Sequence, residues 1–152
     1  MVEENLKNLG LVIHEAPEPV GKYVAYKVIN KILYISGQIS VDANSNFIKG
    51  KLGQEVSIEK GQEAAKLCAL NIIAQAKKAC GGDLNKIANC IKLGGYVNSS
   101  DSFIDQPKVI NGASELISDV FGDHGKHTRA AVSVNSLPLG VSVEIDAIFE
   151  LK

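Results

Sequence analysis

Apolar and polar positions alternate with two different periods along this chain, and each change of period marks an expected element. Runs rich in β-branched and aromatic residues, with a period of two, are typical of strands. Two such runs early in the chain meet at Asn30-Lys31, which predicts a turn between paired strands. The five expected strands cover residues 22–29, 32–40, 87–98, 129–134 and 141–151.

Two longer segments instead carry the 3.6-residue period of amphipathic helices. In the first, Ser57 is the expected N-cap and Gly81 the C-terminal stop. The second covers 106–121 and ends at Gly122, and a short helix is expected near 2–9. The order β-β-α-β-α-β-β predicts an α+β fold, with two helices on one face of a largely antiparallel sheet.

The last two strands are predicted to pair as a hairpin around the segment NSLPLG. Their apolar faces must then coincide, because a slip of one residue would turn a whole strand over. A hairpin centred near Ser136-Leu137 places Arg129 opposite Glu144 on the other face. A shift of two residues keeps the same faces together, so the register stays open. The simplest interpretation of Arg129 opposite Glu144 is a cross-strand ion pair. The apolar faces consist of Ala130, Val132 and Val134 in one strand and Val141, Val143 and Ile145 in the other.

Arg129 is the only arginine of the chain, since the other basic residues among the 16 lysines and arginines are all lysine. Lysine serves equally well for solubility or for a loose surface charge. A guanidinium differs because its planar fork donates two parallel hydrogen bonds to a carboxylate or phosphate and stays charged when buried. We therefore expect Arg129 to bind a planar anion.

Bulk composition excludes several classes of function. At 152 residues the chain is expected to form one domain. A net charge of -1 disfavours nucleic-acid binding, and the absence of an 18-residue apolar run or a signal-peptide pattern leads us to expect a cytosolic protein. The three cysteines, Cys68, Cys80 and Cys90, form no CxxC pair and share no ligand spacing with the histidines. Reduced structural thiols are expected, and no metal site.

Three segments of the chain resemble the Rid family, the YjgF-type reactive intermediate deaminases that are also called the endoribonuclease L-PSP family. These segments are YISGQISV, GGDLNKI and TRAAVSVNSLPLGVSVEIDAIFEL. The resemblance is fairly specific because it combines S-G-Q at a strand end with R-x-x-V-x-V-x-x-L-P-x-x-x-x-V-E-I-x-A, and it extends from about Gly21 to the C-terminus. The segment QPKVINGAS and the longer chain indicate a divergent branch.

The resemblance implies a chorismate-mutase-like fold and a homotrimer with three clefts between neighbouring subunits. Members of the family hydrolyse 2-imino or 2-enamino acids to 2-keto acids and ammonia, without a metal or an organic cofactor. Some members are instead reported as RNA-cleaving inhibitors of translation. For this chain, the net charge and the scarcity of aromatic residues for base stacking argue against that activity.

The resemblance also implies roles for particular residues. Arg129 matches the arginine that binds the substrate carboxylate, and Glu144 matches the carboxylate that positions or activates water. Asn111 matches an asparagine near the start of the second helix. Three positions match residues that line the cleft: Tyr23, Ser36 and Gly37. Structural alternatives remain open for each, such as an ion pair for Arg129 and Glu144, or a strand end or bulge at Ser36-Gly37.

One position departs from the archetype, because Ala131 stands where the family has a cysteine two residues after the arginine. Imine hydrolysis with water as the nucleophile does not need that thiol, but substrate range and rate depend on the position. A non-catalytic binder of small carboxylate metabolites is therefore the alternative function. His124 and His127 are interpreted as loop residues before the arginine strand, and the Asp101–Lys108 loop as an insertion at the cleft mouth.

Overall fold

Five strands and three α-helices make up the fold, as seen in a computed structural model that describes all residues from 1 to 152. Short 3₁₀ turns lie at Leu84–Lys86, Gly122–Gly125 and Pro138–Gly140. The helices are α1 (Val2–Asn8), α2 (Ile58–Ala79) and α3 (Gln106–Phe121). The strands are β1 (Tyr26–Ile29), β2 (Ile32–Ile39), β3 (Ile87–Asn98), β4 (Thr128–Val134) and β5 (Val143–Leu151).

The strands form one mixed sheet in the order β1-β2-β5-β3-β4, in which only the β3–β4 pair is parallel. The prediction of an α+β fold with a largely antiparallel sheet is confirmed. Helices α2 and α3 pack on one face of this sheet, and a single core of buried residues lies between the layers. None of the helices has the length and apolar character needed to cross a membrane.

The predicted helix ends and the first turn are confirmed. The hydroxyl of Ser57 accepts a hydrogen bond from the backbone N–H of Lys60 at 3.1 Å, as an N-cap does. Gly122 ends α3 with φ 61°. Asn30 and Lys31 both have positive φ, 50° and 65°, which is the two-residue turn that matches the twist of a hairpin.

The first strand is shorter than predicted, because residues 22–25 are outside the sheet ladder. The backbone of this segment is instead hydrogen-bonded to Ser36. Its N–H donates to the carbonyl of Ala25 at 2.9 Å, and its hydroxyl donates to the carbonyl of Val24 at 2.8 Å. The segment that carries Tyr23 therefore runs across the end of β2 as a loop.

The predicted hairpin of the last two strands is wrong. β4 lies at the edge of the sheet, parallel to β3, with Arg129 beside Leu93. β5 lies between β2 and β3, and Glu144 is beside Ile39 and Tyr96. The physical reason is burial, since one face of β5 is apolar over its whole length and gains most at the centre of the sheet. A period of two identifies a strand but does not identify its neighbour.

This topology places Arg129 and Glu144 on opposite faces of the sheet. Arg129 and Ala131 face the helix layer, whereas Glu144 and Asp146 point away from it. The predicted cross-strand ion pair therefore does not form within the chain, and all five ion pairs are made by lysines. The face away from the helices is uncovered.

Candidate active site

The side chain of Glu144 lines a cavity of about 870 Å³, the largest of those lined by a residue predicted to be catalytic. The cavity lies between the loop after α1, the β2 bulge and the turn after β4. Its walls are mainly apolar, and three predicted site residues contribute to them. The lining includes the predicted site residues Tyr23, Gly37 and Glu144, together with Phe47, Pro138 and Leu139.

Gly37 allows the Glu144 carboxylate to lie directly against the main chain of β2. The pairing between β2 and β5 shifts register between Ile35 and Gln38, so Ser36 and Gly37 form a bulge at this point. A Cβ on Gly37 would meet the Glu144 carboxylate, at 2.9 Å from its Cδ. The bulge alternative that the sequence left open for Ser36-Gly37 is therefore correct, and Gly37 at this bulge also lines the cavity.

The pKa of Glu144 is raised above its ordinary value, first because the group is half-buried and then because Asp146 carries a second negative charge on the same face. Tyr96 donates its hydroxyl proton to Asp146 at 3.4 Å, and the same charge raises the pKa of Tyr96. No hydrogen bond from the chain stabilises ionised Glu144. A carboxylate with a raised pKa is a stronger base than an ordinary carboxylate, and its free oxygens are suited to accept a proton from water.

Neutralising Asp146 is expected to lower the pKa of Glu144. The Asp146→Asn substitution removes the like charge while burial of Glu144 stays unchanged, so the remaining pKa increase is the part that burial causes. A carbon-13 titration of the Glu144 carboxyl should show the shift toward lower pH. The exposed acid Asp101 provides the control, because Asp101→Asn should leave the Glu144 titration in place. An unchanged curve in Asp146→Asn would contradict the assigned influence of Asp146.

Arg129 is held by two neutral acceptors on α3. Its Nη1 donates to the Ser114 hydroxyl at 3.0 Å, and its Nη2 donates to the carbonyl of Pro107 at 3.3 Å. A guanidinium has five N–H donors, so three stay free. With no carboxylate paired to it, this partly buried cation keeps its charge available for an anion.

Asn111 and Ala131 lie near Arg129. Positions 107, 111 and 114 share one face of α3, so Asn111 lies between the two residues that hold the guanidinium. The Asn111 amide makes no side-chain hydrogen bond. Ala131 follows Arg129 on the same face of β4 and packs against the core. Its methyl group supplies no thiol at this position.

His124 and the three cysteines neither line the cavity at Glu144 nor hydrogen-bond to Arg129. His124 is an exposed neighbour of Asn89, with 3.3 Å between Nδ1 and Oδ1. The three cysteines are free and buried, and burial raises the pKa of Cys90 to about 12 and those of the other two as well. These thiols are core residues, as the sequence predicted, and poor nucleophiles.

Sequence reasoning missed the two loop residues Phe47 and Leu139, which line the cavity, as well as Ser114, Asp146 and the contact of His127. Loop residues carry no periodic signal, so the cavity walls could not be found that way. The sequence alone predicts only a loop position for His127. Its position two residues before the single arginine was the available signal, since alternate residues of an extended chain point to the same side.

The predicted site residues therefore fall into two groups that one chain does not bring together. The Glu144 half-site comprises Tyr23, Gly37 and Glu144, on the uncovered side of the sheet, with Ser36 at its margin. The Arg129 half-site comprises Asn111, Arg129 and Ala131, at the edge formed by β4 and α3. A carboxylate bound by Arg129 and a water molecule activated by Glu144 can meet only if a second copy of the chain completes the site.

Comparison with known proteins agrees with this architecture. The family model described as "YjgF/chorismate mutase-like, putative endoribonuclease" matches residues 3–150. Protein TCP17 of Trypanosoma cruzi is 42% identical over 99% of this chain and 94% of its own length. The human protein named 2-iminobutanoate/2-iminopropanoate deaminase is 29% identical, covering 88% of this chain and 83% of its own.

Solved structures show the same fold. A protein of unknown function from Agrobacterium tumefaciens superposes with a TM-score of 0.93 at 45% identity, covering 99% of this chain and 92% of its own. With a family model that spans nearly the whole sequence, this chain belongs to the YjgF/chorismate-mutase-like family.

Proposed function

We propose that this protein hydrolyses reactive 2-imino and 2-enamino acids to 2-keto acids and ammonia, in the cytosol, at a site shared between copies of a homotrimer. The observation that carries the proposal is the pair of complementary half-sites, one with an unpaired guanidinium and one with a carboxylate of raised pKa. The similarity to a protein named as an imine deaminase supports the choice of substrate class. The free cysteines are typical of a reducing compartment.

The chemistry follows from the substrate. A 2-imino acid is a carboxylate attached to a C=N carbon, and Arg129 holds the carboxylate with two parallel hydrogen bonds. Glu144 accepts a proton from water as the water oxygen bonds to the imine carbon, and the C=N electron pair moves to nitrogen, which takes up a proton. In the adduct the hydroxyl proton is transferred to the amino nitrogen as the C–N bond breaks, which releases ammonia and leaves the keto group. An enamine first gains a proton on carbon to give the same imine.

The demands on the protein are modest. Activated imines hydrolyse readily in water, so orientation of the substrate and one general base supply the required acceleration. A positioned base contributes about 10²–10⁴-fold. The backbone at Gly37 lies next to Glu144 and, without a side chain of its own, lets the substrate approach closely. Water as nucleophile also makes the reaction compatible with Ala131.

The placement of the half-sites favours a ring of copies over a two-fold dimer. The Glu144 half-site lies on the uncovered sheet face, and the Arg129 half-site lies at the β4–α3 edge. A contact between two different patches is heterologous, and heterologous contacts that close do so as a cyclic ring. The uncovered face also exposes Tyr34 to 47% and Val132 to 46%, large side chains that a neighbouring copy would cover. These observations support a cyclic ring of copies, and the choice of three copies follows the family resemblance.

An assay in which an amino-acid oxidase generates the imino acid in situ tests the function. An amine trap that competes for the imine reports its lifetime, and keto-acid release is followed alongside. The protein should accelerate release, and a Glu144→Gln variant that assembles normally should not. The absence of acceleration with small, branched and aromatic side chains would overturn the proposal.

The same experiment addresses the alternative of a non-catalytic carboxylate binder, which the missing thiol at Ala131 favours. A binder would be stabilised against heat by a 2-keto acid such as pyruvate without turning over imines. Stabilisation that disappears in Arg129→Ala, together with no acceleration by the wild-type protein, would assign the cleft to binding.

A further inference from the structure

Arg129 belongs to a chain of hydrogen bonds that continues beyond the residues assigned to the site. The Ser114 hydroxyl, which accepts from Nη1 of Arg129 at 3.0 Å, lies 2.9 Å from Nε2 of His127. Nδ1 of His127 lies 2.7 Å from the backbone carbonyl of Gly125. The three side chains and one carbonyl form a continuous series that ends in the main chain.

Hydrogen-bond chemistry fixes the direction of every bond in this series. The carbonyl of Gly125 can only accept, so Nδ1 of His127 carries the proton and donates. In the neutral imidazole, Nε2 is then an acceptor, and the Ser114 hydroxyl donates to it. The oxygen of Ser114 consequently turns a lone pair toward Arg129, which can only donate.

We propose that Ser114 and His127 are positioning residues that hold the Arg129 guanidinium in the orientation required to bind the substrate carboxylate. The proposal rests on the assignment of Arg129 under the proposed function. With His127 directing its proton, Ser114 is a pure acceptor for the guanidinium. A serine without that partner could rotate its hydroxyl proton toward Arg129 and lose the bond.

The end of the series is rigid because Gly125 is packed against α3. A Cβ at Gly125 would lie 2.9 Å from the Cα of Ser118, so the turn that carries its carbonyl follows the backbone of the same helix that carries Ser114. Pro107, whose carbonyl accepts from Nη2, also belongs to α3. Helix α3 therefore carries both hydrogen-bond acceptors of Arg129 and packs against the turn of Gly125. These contacts fix the plane of the guanidinium and leave three of its N–H donors free.

The neutrality of these partners matters for binding. A carboxylate partner would position an arginine equally well, but it would compete with the substrate for the charge and repel the substrate carboxylate. A serine hydroxyl polarised by a neutral imidazole orients the guanidinium and leaves its charge uncompensated. The series gives a role to the partly buried His127 and Ser114, which the reaction itself does not use.

Nitrogen-15 NMR of the wild-type protein at pH 8 tests the direction of the series without any substrate. We expect His127 as the Nδ1–H tautomer, with a bare Nε2, and His124 provides an internal comparison. The Ser114→Ala variant removes the hydroxyl that donates to Nε2, which should change the Nε2 signal. An Nε2–H tautomer for His127 would overturn the proposal.

The kinetic test is whether substitutions of Ser114 and His127 change KM while leaving kcat nearly constant. Losing the charged hydrogen bond in Ser114→Ala should raise KM about tenfold while kcat changes little, since orientation for carboxylate binding is what is lost. His127→Phe should do the same, and His127→Gln, whose carbonyl can accept from Ser114, should retain a near-wild-type KM. Ser118→Ala and His124→Phe are the matched controls. An unchanged KM in both Ser114→Ala and His127→Phe would overturn the proposal.

A binding measurement separates this proposal from the proposed function. If the wild-type protein has no deaminase activity, the Kd for pyruvate replaces KM, and the same order of variants is expected. Equal pyruvate affinity in wild type, Ser114→Ala and His127→Phe would refute the positioning role even if deamination were established.

Discussion

Replacing Arg129 with lysine is expected to lower kcat/KM for 2-imino acids by about 10²–10³-fold although the charge is kept. An ammonium cannot donate two parallel hydrogen bonds, and it cannot bond to Ser114 and Pro107 while also reaching the substrate. The carboxylate would be bound loosely, and the imine carbon would lie away from Glu144. Steady-state kinetics with in situ imine generation measures the loss.

The control for Arg129→Lys is Lys108→Ala, which removes an exposed positive charge from α3, the helix whose Ser114 and Pro107 accept the hydrogen bonds of Arg129. Its kcat/KM should stay within a factor of about two, because exposed charges contribute little. If Arg129→Lys kept full activity in a properly assembled protein, charge alone would suffice. The planar fork of the guanidinium would then not be needed at this position.

A methyl group at Gly37 is expected to lower kcat by about 100-fold, the usual consequence of moving a catalytic group by about 1 Å. The new Cβ would lie 2.9 Å from Cδ of Glu144 and would force the carboxylate away from the bulge. KM should change less, because Arg129 and its partners are elsewhere. Comparing kcat and KM for Gly37→Ala with the wild type measures the effect.

Gly10→Ala separates crowding from backbone strain. Gly10 has φ +66° and open space around it, so alanine there strains the main chain without touching the site. We expect a lower melting temperature for Gly10→Ala with kcat unchanged. A wild-type kcat in Gly37→Ala would show that Glu144 does not act from its observed position.

Local patterns predicted the elements well because local interactions determine them. Ser57 caps α2 through its own neighbour Lys60, and Asn30-Lys31 adopts positive φ within a two-residue turn. Each of these features needs only a few adjacent residues. The same holds for Gly122, which ends α3 in the left-handed region.

Strand neighbours could not be predicted from periodicity, and this is why the hairpin of β4 and β5 was wrong. The alternation in β4 separates Ala130 and Val132 from Arg129 and Ala131, but both faces contain small or apolar residues. The alternation therefore leaves open which face turns to the helices. Burial over the whole of β5 decided that it occupies the sheet centre.

The candidate site was predictable residue by residue from the resemblance but not as an arrangement. Arg129 and Glu144 were identified as partners, yet the fold separates them by strand β3 and by the plane of the sheet. A site that two copies share leaves no local signature in the sequence of one. Ser114 and His127 become visible only when α3 and β4 are placed together.

The most direct test of the account is to combine two inactive variants, Arg129→Ala and Glu144→Gln, by co-expression at equal levels. In a ring where each site takes Glu144 from one copy and Arg129 from the next, about a quarter of the sites regain both groups. We expect about a quarter of the wild-type activity in this mixture. The reference is wild type co-expressed with the Arg129→Ala, Glu144→Gln double variant, which should give the same quarter. No activity in the first mixture, with about half in the second, would show that both groups act within one chain and would contradict the account.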